Sequence, residues 1–419
     1  MNPVDPIALG LALPFRAVLP FIGFLLAIAL FPLAAPRFWE RHFGKVSAAF
    51  GVPVAAWFLV IAPLELFHTA LEYISFLVLL GSLFTISGGI LLRGTIRGTP
   101  AVNCGFLAAG AVLSNLLGTT GASMLLIRPL LRANSGRKRS AHVYVFFIFL
   151  VANIGGALTP IGDPPLFLGY LKGVPFFWTV GNLWSCWVAI SVTVIGVFYL
   201  FDRTAARSEE TDKRSETPDP SGRKQLLLAG KRNFLLLGAV ITAVFLPTPV
   251  RETVMLAATA LSVWKTPAWI RLENDFTYHP IKEVAILFAG IFATMIPVLL
   301  ILKTRGGELG ITEPWHFFWV SGMLSSFLDN APTYLTFFSL AQGLGGTPDI
   351  AGISPPILRA ISAGAVFMGA ITYIGNAPNF MVKAIVEASG VRMPSFFGYM
   401  AYSFAILLPV FAFISWQFL

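Results

Sequence analysis

Long apolar runs alternate with short polar segments along the chain, and this pattern predicts membrane-spanning helices. Many of the runs are about 17–25 residues long, which is enough to cross a bilayer as a helix. Uninterrupted spans are predicted near 17–34, 46–63, 69–92, 176–201, 233–246, 251–263, 281–302 and 394–416. The pattern therefore predicts an all-α polytopic membrane protein.

One apolar run is broken by glycine and proline. Residues 153–165 read Asn-Ile-Gly-Gly-Ala-Leu-Thr-Pro-Ile-Gly-Asp-Pro-Pro. Gly and Pro at this density end a helix, and irregular backbone at membrane depth must be buried in protein or line a wet cavity. A broken helix is predicted over 142–171, stopping near Asn153 and restarting near Pro164 or Pro165. Phe146 and Phe147, just before the break, are expected to face lipid or to belong to an interfacial aromatic belt.

The broken segment occurs twice. Residues 367–379 read Phe-Met-Gly-Ala-Ile-Thr-Tyr-Ile-Gly-Asn-Ala-Pro-Asn and match the first segment at a shift of 213 positions. In this register Thr159 falls on Thr372 and Asp163 falls on Asn376. Two Gly/Pro-interrupted segments in corresponding halves point to the binding site of a transporter. A second broken helix is therefore predicted over 357–388.

Two further interrupted segments predict re-entrant hairpins. The first covers 99–131 with a polar tip at 114–121, and basic residues flank both of its ends, which places both ends in the cytoplasm. Each arm has about 15 residues, which is short for a crossing, although two short full spans are the alternative. The second hairpin covers 315–344 with its tip at 325–333, and the absence of Lys and Arg around it predicts entry from outside.

These elements divide the chain into two repeats, 1–201 and 233–419. Each repeat is predicted to contain about five crossings, one hairpin and one broken helix, and an odd number of crossings inverts the second repeat relative to the first. An inverted-topology repeat places its site near the bilayer midplane. Residues 202–232 are rich in Ser, Glu, Lys, Arg and Pro and are predicted to form a flexible cytoplasmic linker.

Composition supports the membrane assignment. The chain of 419 residues is 56% hydrophobic and 12% charged, with a mean hydropathy of +0.77, whereas a soluble domain carries about twice that charge. The net charge of +9 is expected from basic cytoplasmic loops, so lipid is the expected partner and nucleic acid is not. The N-terminus lacks the basic region of a cleaved signal peptide. Cys104 and Cys186 sit in apolar runs and suggest neither a disulfide framework nor a metal site.

The hairpin tips and helix breaks are rich in side-chain oxygen atoms. Such oxygens suit a hard cation such as Na⁺, whereas the helix N-termini that follow the breaks could hold an anion, so these elements alone leave the sign of the cargo open. The candidate ion or substrate ligands are Asn115, Thr119, Thr120, Asn153, Thr159, Asp163, Asp329, Asn330, Thr333, Thr372, Asn376 and Asn379.

Asp163 and Asp329 are the proton-coupling candidates, because they are the only acidic residues within the predicted tips and breaks. An ionisable group inside a membrane is costly, and its default interpretation is functional. Burial disfavours a charged carboxylate while a bound cation favours it, and exchange of H⁺ for a metal cation requires this opposition. The alternative is a structural Asp that caps a half-helix. No cofactor is expected beyond Na⁺ and H⁺ as transported or coupling ions.

Two His/Glu pairs also recur in the repeat. His68 and Glu72 fall on His279 and Glu283 at a shift of 211, and each pair is spaced i, i+4 on one helix face. A capping or loop-anchoring role is favoured over a proton relay.

Two motifs resemble those of a known superfamily. Residues 152–163, Ala-Asn-x-Gly-Gly-x-x-Thr-Pro-Ile-Gly-Asp, resemble the broken-helix motif of the ion transporter superfamily, as found in NhaD-type sodium/proton antiporters and ArsB-type arsenite carriers. Residues 329–332, Asp-Asn-Ala-Pro, resemble the second-hairpin motif of the same antiporters. The resemblance implies an eleven-span-like fold with scaffold and transport subdomains, often dimeric, that moves as an elevator.

The resemblance implies a secondary transporter in a bacterial inner membrane rather than an enzyme, and sodium/proton antiport by alternating access is the first hypothesis. The alternatives are Na⁺- or H⁺-coupled symport of citrate or another dicarboxylate, and an arsenite or other anion carrier. The carboxylate carriers place Ser-Asn-Thr at both tips, where this chain has Gly-Thr-Thr at 118–120 and Asp-Asn-Ala at 329–331. A channel is disfavoured because two-sided hairpins suit alternating access. A hydrolase is disfavoured because the chain has neither Gly-x-Ser-x-Gly nor His-Glu-x-x-His.

Overall fold

Helices account for most of the computed structural model, which describes residues 5–94, 97–212, 227–345 and 350–419. Two three-residue strands, β1 (Leu91–Arg93) and β2 (Leu227–Ala229), pair antiparallel. The helices are α1 Pro6–Ala12, α2 Leu19–Ala34, α3 Pro36–Ile61, α4 Pro63–Ser87, α5 Pro100–Ala133, α6 Ala141–Leu150, α7 Pro164–Leu171, α8 Trp178–Asp212, α9 Arg232–Ala243, α10 Val250–Lys265, α11 Ala268–Glu273, α12 His279–Arg305, α13 Pro314–Phe327, α14 Asn330–Gln342, α15 Pro355–Met368, α16 Ala377–Ala388 and α17 Phe396–Phe418. Single 3₁₀ turns lie at Phe15–Val18, Ile154–Leu158, Gly306–Leu309 and Gly369–Ile371.

Eight helical segments in the described residues are long and apolar enough to cross a membrane. They are Phe15–Pro32, Pro36–Ile61, Pro63–Ser87, Pro100–Ala133, Ala141–Leu158, Trp178–Ser208, His279–Leu309 and Phe396–Phe418. With almost no sheet beside them, these helices confirm the prediction of an all-α polytopic membrane protein.

Several helix ends differ from the predicted ones. α3 begins at Pro36, about ten residues before the predicted span, because Pro suits the first helical turn. Arg37, Arg41 and Lys45 therefore lie on α3. α8 runs through the predicted boundary at 201/202 as far as Asp212. Residues 213–226 of the predicted linker lie outside the described residues.

α5 folds back on itself at Gly118. This residue has φ 74° and ψ 156°, a backbone conformation that favours glycine and that no helix contains. The two ends of α5 meet, since Gly98 N donates to Ala133 O at 2.7 Å and the amides of Asn103 and Asn134 bond to each other. A straight helix of this length would separate its ends by about 50 Å. α5 is therefore two antiparallel arms that join at Gly118.

α13 and α14 form a second pair of antiparallel arms. They join at Leu328 and Asp329, and Phe317 near the start of α13 lies against Phe337 near the end of α14, with ring centroids 6.3 Å apart. Both hairpins therefore end in a short non-helical tip, at Gly118 in the first and at Leu328 and Asp329 in the second.

The two broken helices have the same local construction. α6 ends at Leu150, a 3₁₀ turn follows, and Asp163 is extended before α7 begins at Pro164. α15 ends at Met368, a 3₁₀ turn follows, and Asn376 is extended before α16 begins at Ala377. Backbone that leaves helical geometry in this way frees carbonyl and amide groups for other partners.

α6 lies in the centre of the protein and not at its lipid surface. Every side chain from His142 to Leu150 is buried, and Phe146 and Phe147 are both fully buried. The expectation that these two rings face lipid or an interfacial belt is therefore wrong, because α5, α8, α16 and α17 pack around α6. Glu72 contacts the other end of the same broken helix, accepting from Lys172 Nζ at 2.7 Å, and so ties α4 to α7.

The predicted orientation has a direct test. In a variant without the native cysteines, Ser135→Cys should resist an impermeant thiol reagent in intact cells, whereas Leu309→Cys should react. Both side chains are exposed, and the Lys/Arg-rich loop 132–139 should be cytoplasmic. Labelling of Ser135→Cys from outside, with permeabilisation adding nothing, would contradict the inverted-repeat topology.

Candidate ion-binding site

The Asp163 side chain is completely buried where four helix N-termini meet. Asp163 precedes α7, Asn376 precedes α16, Asn330 begins α14, and Thr119 begins the second arm of α5. A helix N-terminus carries a partial positive charge of about half an elementary charge. Four of them favour negative charge at this point, and the Asp163 carboxylate supplies it.

Three neutral side chains donate hydrogen bonds to the Asp163 carboxylate. Its Oδ1 accepts from Thr119 Oγ1 at 3.0 Å and from Asn376 Nδ2 at 3.2 Å, and its Oδ2 accepts from Asn330 Nδ2 at 2.5 Å. We call these four residues the Asp163 cage. In the sequence register Thr119 corresponds to Asn330 and Asp163 to Asn376, so the cage consists of two repeat-related pairs.

Within the described residues, no Lys, Arg or His side chain bonds to Asp163. A charge that is buried in a protein is normally paired or coordinates a metal ion. Hydroxyl and amide donors reduce the cost of burying the carboxylate but do not neutralise it. The cage therefore suits a carboxylate that carries either a proton or a bound cation.

Two amide oxygens in this region are buried without a hydrogen-bond donor among the described residues. They are Asn330 Oδ1 in the cage and Asn153 Oδ1 beside it. Asn153 Nδ2 donates to Asn379 Oδ1 at 2.6 Å, and the Asn379 amide in turn donates to two carbonyls of the second break. An unsatisfied buried acceptor costs about 1–3 kcal/mol. Such oxygens are the ligands that hard cations prefer.

Three of the predicted ligands hold the breaks against the hairpin tips. Thr159 Oγ1 donates to the carbonyl of Asn115 at 2.6 Å, and Thr372 Oγ1 donates to the carbonyl of Ser326. Asn115 Oδ1 also accepts from the backbone of the first break, at Leu158 N. Asn115, Thr159 and Thr372 therefore tie the two breaks to the hairpin tips around the cage.

Three further candidates, Asp329, Thr333 and Thr120, lie at the hairpin tips. Asp329 caps α14 by accepting from Ala331 N at 3.1 Å, which is the structural alternative that the sequence left open. Asp163 makes no such capping bond with α7. Thr333 donates to the carbonyl of Asp329 within its own helix, and Thr120 is half-buried next to Thr119.

Sequence reasoning missed two serines and two backbone carbonyls. Ser114 Oγ donates to Val151 O at 2.7 Å and Ser325 Oγ to Ala365 O at 2.6 Å, and each bond fastens a hairpin arm to a broken helix. The cage also uses main-chain acceptors, since Asn376 Nδ2 donates to Ala152 O and Thr119 N donates to Gly162 O. The repeat register could have found the serines, because 114 falls on 325.

A protein family match covers nearly the whole chain. The family model CitMHS_2, described as "Putative citrate transport", matches residues 10–419. The chain belongs to the CitMHS_2 family. CitMHS_2 is a transport family, and its match fits the membrane helices described above, so this chain is an integral multi-pass membrane protein of the transporter class.

Curated relatives match a short part of this CitMHS_2 chain. The P protein of Sus scrofa is 35% identical over 72 residues, which is 17% of this chain and 8% of that protein. The P protein of Homo sapiens is 33% identical over 72 residues, which is 17% of this chain and 9% of that protein. The match spans less than a tenth of either relative, so it shows similarity in one segment only.

The threonine ties give an expectation for stability. Thr159→Val and Thr372→Val keep the side-chain shape but leave the carbonyls of Asn115 and Ser326 without a donor. Each variant should lose about 1–3 kcal/mol, because an unsatisfied buried acceptor costs that much. Thermal unfolding in detergent would measure the loss, with the exposed Thr193→Val as the control. Unchanged unfolding temperatures would show that the ties do not stabilise the breaks.

Proposed function

We propose that the protein is a sodium/proton antiporter that binds Na⁺ or H⁺ alternately at Asp163. The observation that supports this is a fully buried carboxylate with three neutral donors and no basic partner in the described part of the chain. A single group that holds either ion, and never both, couples the two fluxes. A fixed Lys or Arg partner would have neutralised the carboxylate permanently and removed that competition.

The neutral cage suits both states. With Na⁺ bound, the carboxylate and nearby amide oxygens, Asn330 Oδ1 among them, supply hard oxygen ligands. With a proton bound, the carboxylic acid becomes a donor, and the Asn330 amide can turn its unpaired oxygen to accept from it. The Thr119 hydroxyl can likewise donate or accept. A guanidinium or an ammonium group has no acceptor and could serve only the charged state.

Alternating access follows from the two hairpins in this proposal. Their tips both reach the Asp163 cage, through Thr119 from α5 and Asn330 from α14. If the hairpins enter from opposite sides, as the basic loops predict, each tip closes the site toward one compartment. The resemblance to elevator carriers adds the expectations of a homodimer and of a bacterial inner membrane.

Cation-coupled citrate symport is the second candidate, since the CitMHS_2 description names citrate. Helix N-termini bind carboxylates readily, and four of them converge here. The Asp163 carboxylate already occupies that position, however, and a second anion beside it would be repelled. Citrate could bind only with accompanying cations, and within the described residues the cage provides none of its own.

Purified protein in proteoliposomes separates the two candidates. An imposed Na⁺ gradient without citrate should change the internal pH, read with an enclosed pH-sensitive dye, and Li⁺ and K⁺ gradients define selectivity. Labelled citrate should not accumulate. If a Na⁺ or pH gradient drove citrate accumulation, and protons did not move when citrate was left out, the symporter would be favoured.

A further inference from the structure

A cavity of about 850 Å³ opens at the end of the protein where the basic loops predict the cytoplasm. Its walls come from the α5–α6 loop, the last turns of α8, the α16–α17 loop and the first turns of α17. Four basic side chains line it: Arg137, Lys138, Arg139 and Arg392. We call it the basic cavity. It lies apart from the Asp163 cage and shares no residue with it.

A buried network fixes one wall of the basic cavity. Asp202 is completely buried, and its Oδ1 contacts Arg137 Nη2 at 2.6 Å and His142 Nε2 at 2.7 Å. Asn103 donates to the other oxygen of the same carboxylate at 3.0 Å. Asp202 therefore offsets Arg137, and the side chains of Lys138, Arg139 and Arg392 occupy exposed positions on the same lining. No carboxylate is among the described residues that line the cavity.

Another part of the lining is apolar. Phe201 and Tyr402 line it with ring centroids 6.1 Å apart, and the hydroxyl-bearing Thr204 and Ser208 lie beside them. Phe201, Thr204 and Ser208 lie in the last turns of Trp178–Ser208, an apolar segment of α8 that is long enough to cross a membrane. Tyrosine is typical of the membrane–water boundary. The basic cavity thus combines positive charge with aromatic rings beside the end of a segment that is long and apolar enough to cross a membrane.

We propose that the basic cavity binds a phosphate-bearing anion, supplied either by the headgroup of an acidic phospholipid or by a soluble phosphate ester. Guanidinium groups pair with phosphate oxygens through two parallel hydrogen bonds, and here three arginines and one lysine surround one space. Basic pockets between helices on the cytoplasmic side are suited to acidic headgroups. The occupant would join the cytoplasmic ends of α6 and α16, which carry the two breaks on either side of the Asp163 cage.

The test uses the full chain in detergent and two charge-matched variants. One is Lys138→Gln/Arg139→Gln/Arg392→Gln, which spares Arg137 because of its bond to Asp202. The other is Lys45→Gln/Arg37→Gln/Arg41→Gln, which removes the same charges from exposed positions on α3. Thermal unfolding is followed during titration with phosphatidylglycerol, with phosphatidylcholine of the same acyl chains, and with glycerol phosphate, since a ligand that binds the folded state raises the unfolding temperature.

Phosphatidylglycerol should stabilise the parent and the α3 variant, and its affinity for the basic-cavity variant should fall about a hundredfold, since each basic residue at a membrane surface contributes roughly a fivefold factor. Phosphatidylcholine should have little effect. Glycerol phosphate alone could give the same rise in unfolding temperature, and the basic-cavity variant could remove it. That result would support the anion site and identify a soluble phosphate ester as its ligand. Equal stabilisation of both variants, or none of the parent by either phosphate, would overturn the proposal.

Discussion

Asp163→Asn should reduce Na⁺-driven proton movement to background while the protein still inserts and folds. The substitution removes the one group in the cage that exchanges a proton for a cation under this proposal. The amide can still be satisfied, because its oxygen can accept from Asn376 and its nitrogen can donate to the unpaired Asn330 Oδ1 once that amide turns. The loss should therefore be functional rather than structural.

The measurement is dye-reported internal pH in proteoliposomes, beside the unfolding temperature of the same preparation. Asp329→Asn is the matched control, since it removes an equal charge from the tip of the second hairpin. Asparagine is as good an N-cap as aspartate, so this variant should keep α14 intact and shift the pH dependence without ending the exchange. If Asp163→Asn retained full proton coupling, another group would have to be the proton carrier.

The repeat made the Asp163 cage partly predictable from sequence. Thr119, Asn330 and Asn376 were candidates because they lie in the predicted hairpin tips and helix breaks, and the structure gathers all three on Asp163. Gly/Pro content located both breaks, since helix termination is a local property of the chain. Local signals of this kind survive folding because no distant contact is needed to produce them.

Other properties depended on contacts that the sequence does not contain. Phe146 and Phe147 lie in a uniformly apolar run, and the sequence of such a run does not show whether lipid or protein surrounds the helix. The hydroxyl groups of Thr159 and Thr372 were predicted as ligands, but the sequence does not show that each donates its proton to a hairpin carbonyl. Which oxygen remains unpaired is decided by tertiary geometry at the scale of one hydrogen bond.

In each break, two parts of the backbone approach each other so closely that only glycine fits between them. A Cβ at position 162 would lie 2.1 Å from the carbonyl oxygen of Gly156, and one at position 375 would lie 2.6 Å from that of Gly369. The obstructing atoms belong to the main chain, so no side-chain rotation relieves the overlap. The same crossing at 162 aims the Gly162 carbonyl at Thr119 N, at 2.8 Å, and so positions the cage.

Gly162→Ala should therefore abolish transport and lower stability by about 1–3 kcal/mol, or more, as overpacking of a filled interior does. The added methyl group must push the backbone at position 162 away from the backbone at position 156, which moves Asp163 away from Thr119. Gly375→Ala should act in the same direction with a smaller loss, because its contact is longer. The control is Gly181→Ala on α8, where a Cβ meets nothing within 4 Å and alanine favours the helix. Transport by proteoliposomes carrying Gly162→Ala at the rate of Gly181→Ala would mean that the break opens without disturbing the ion site.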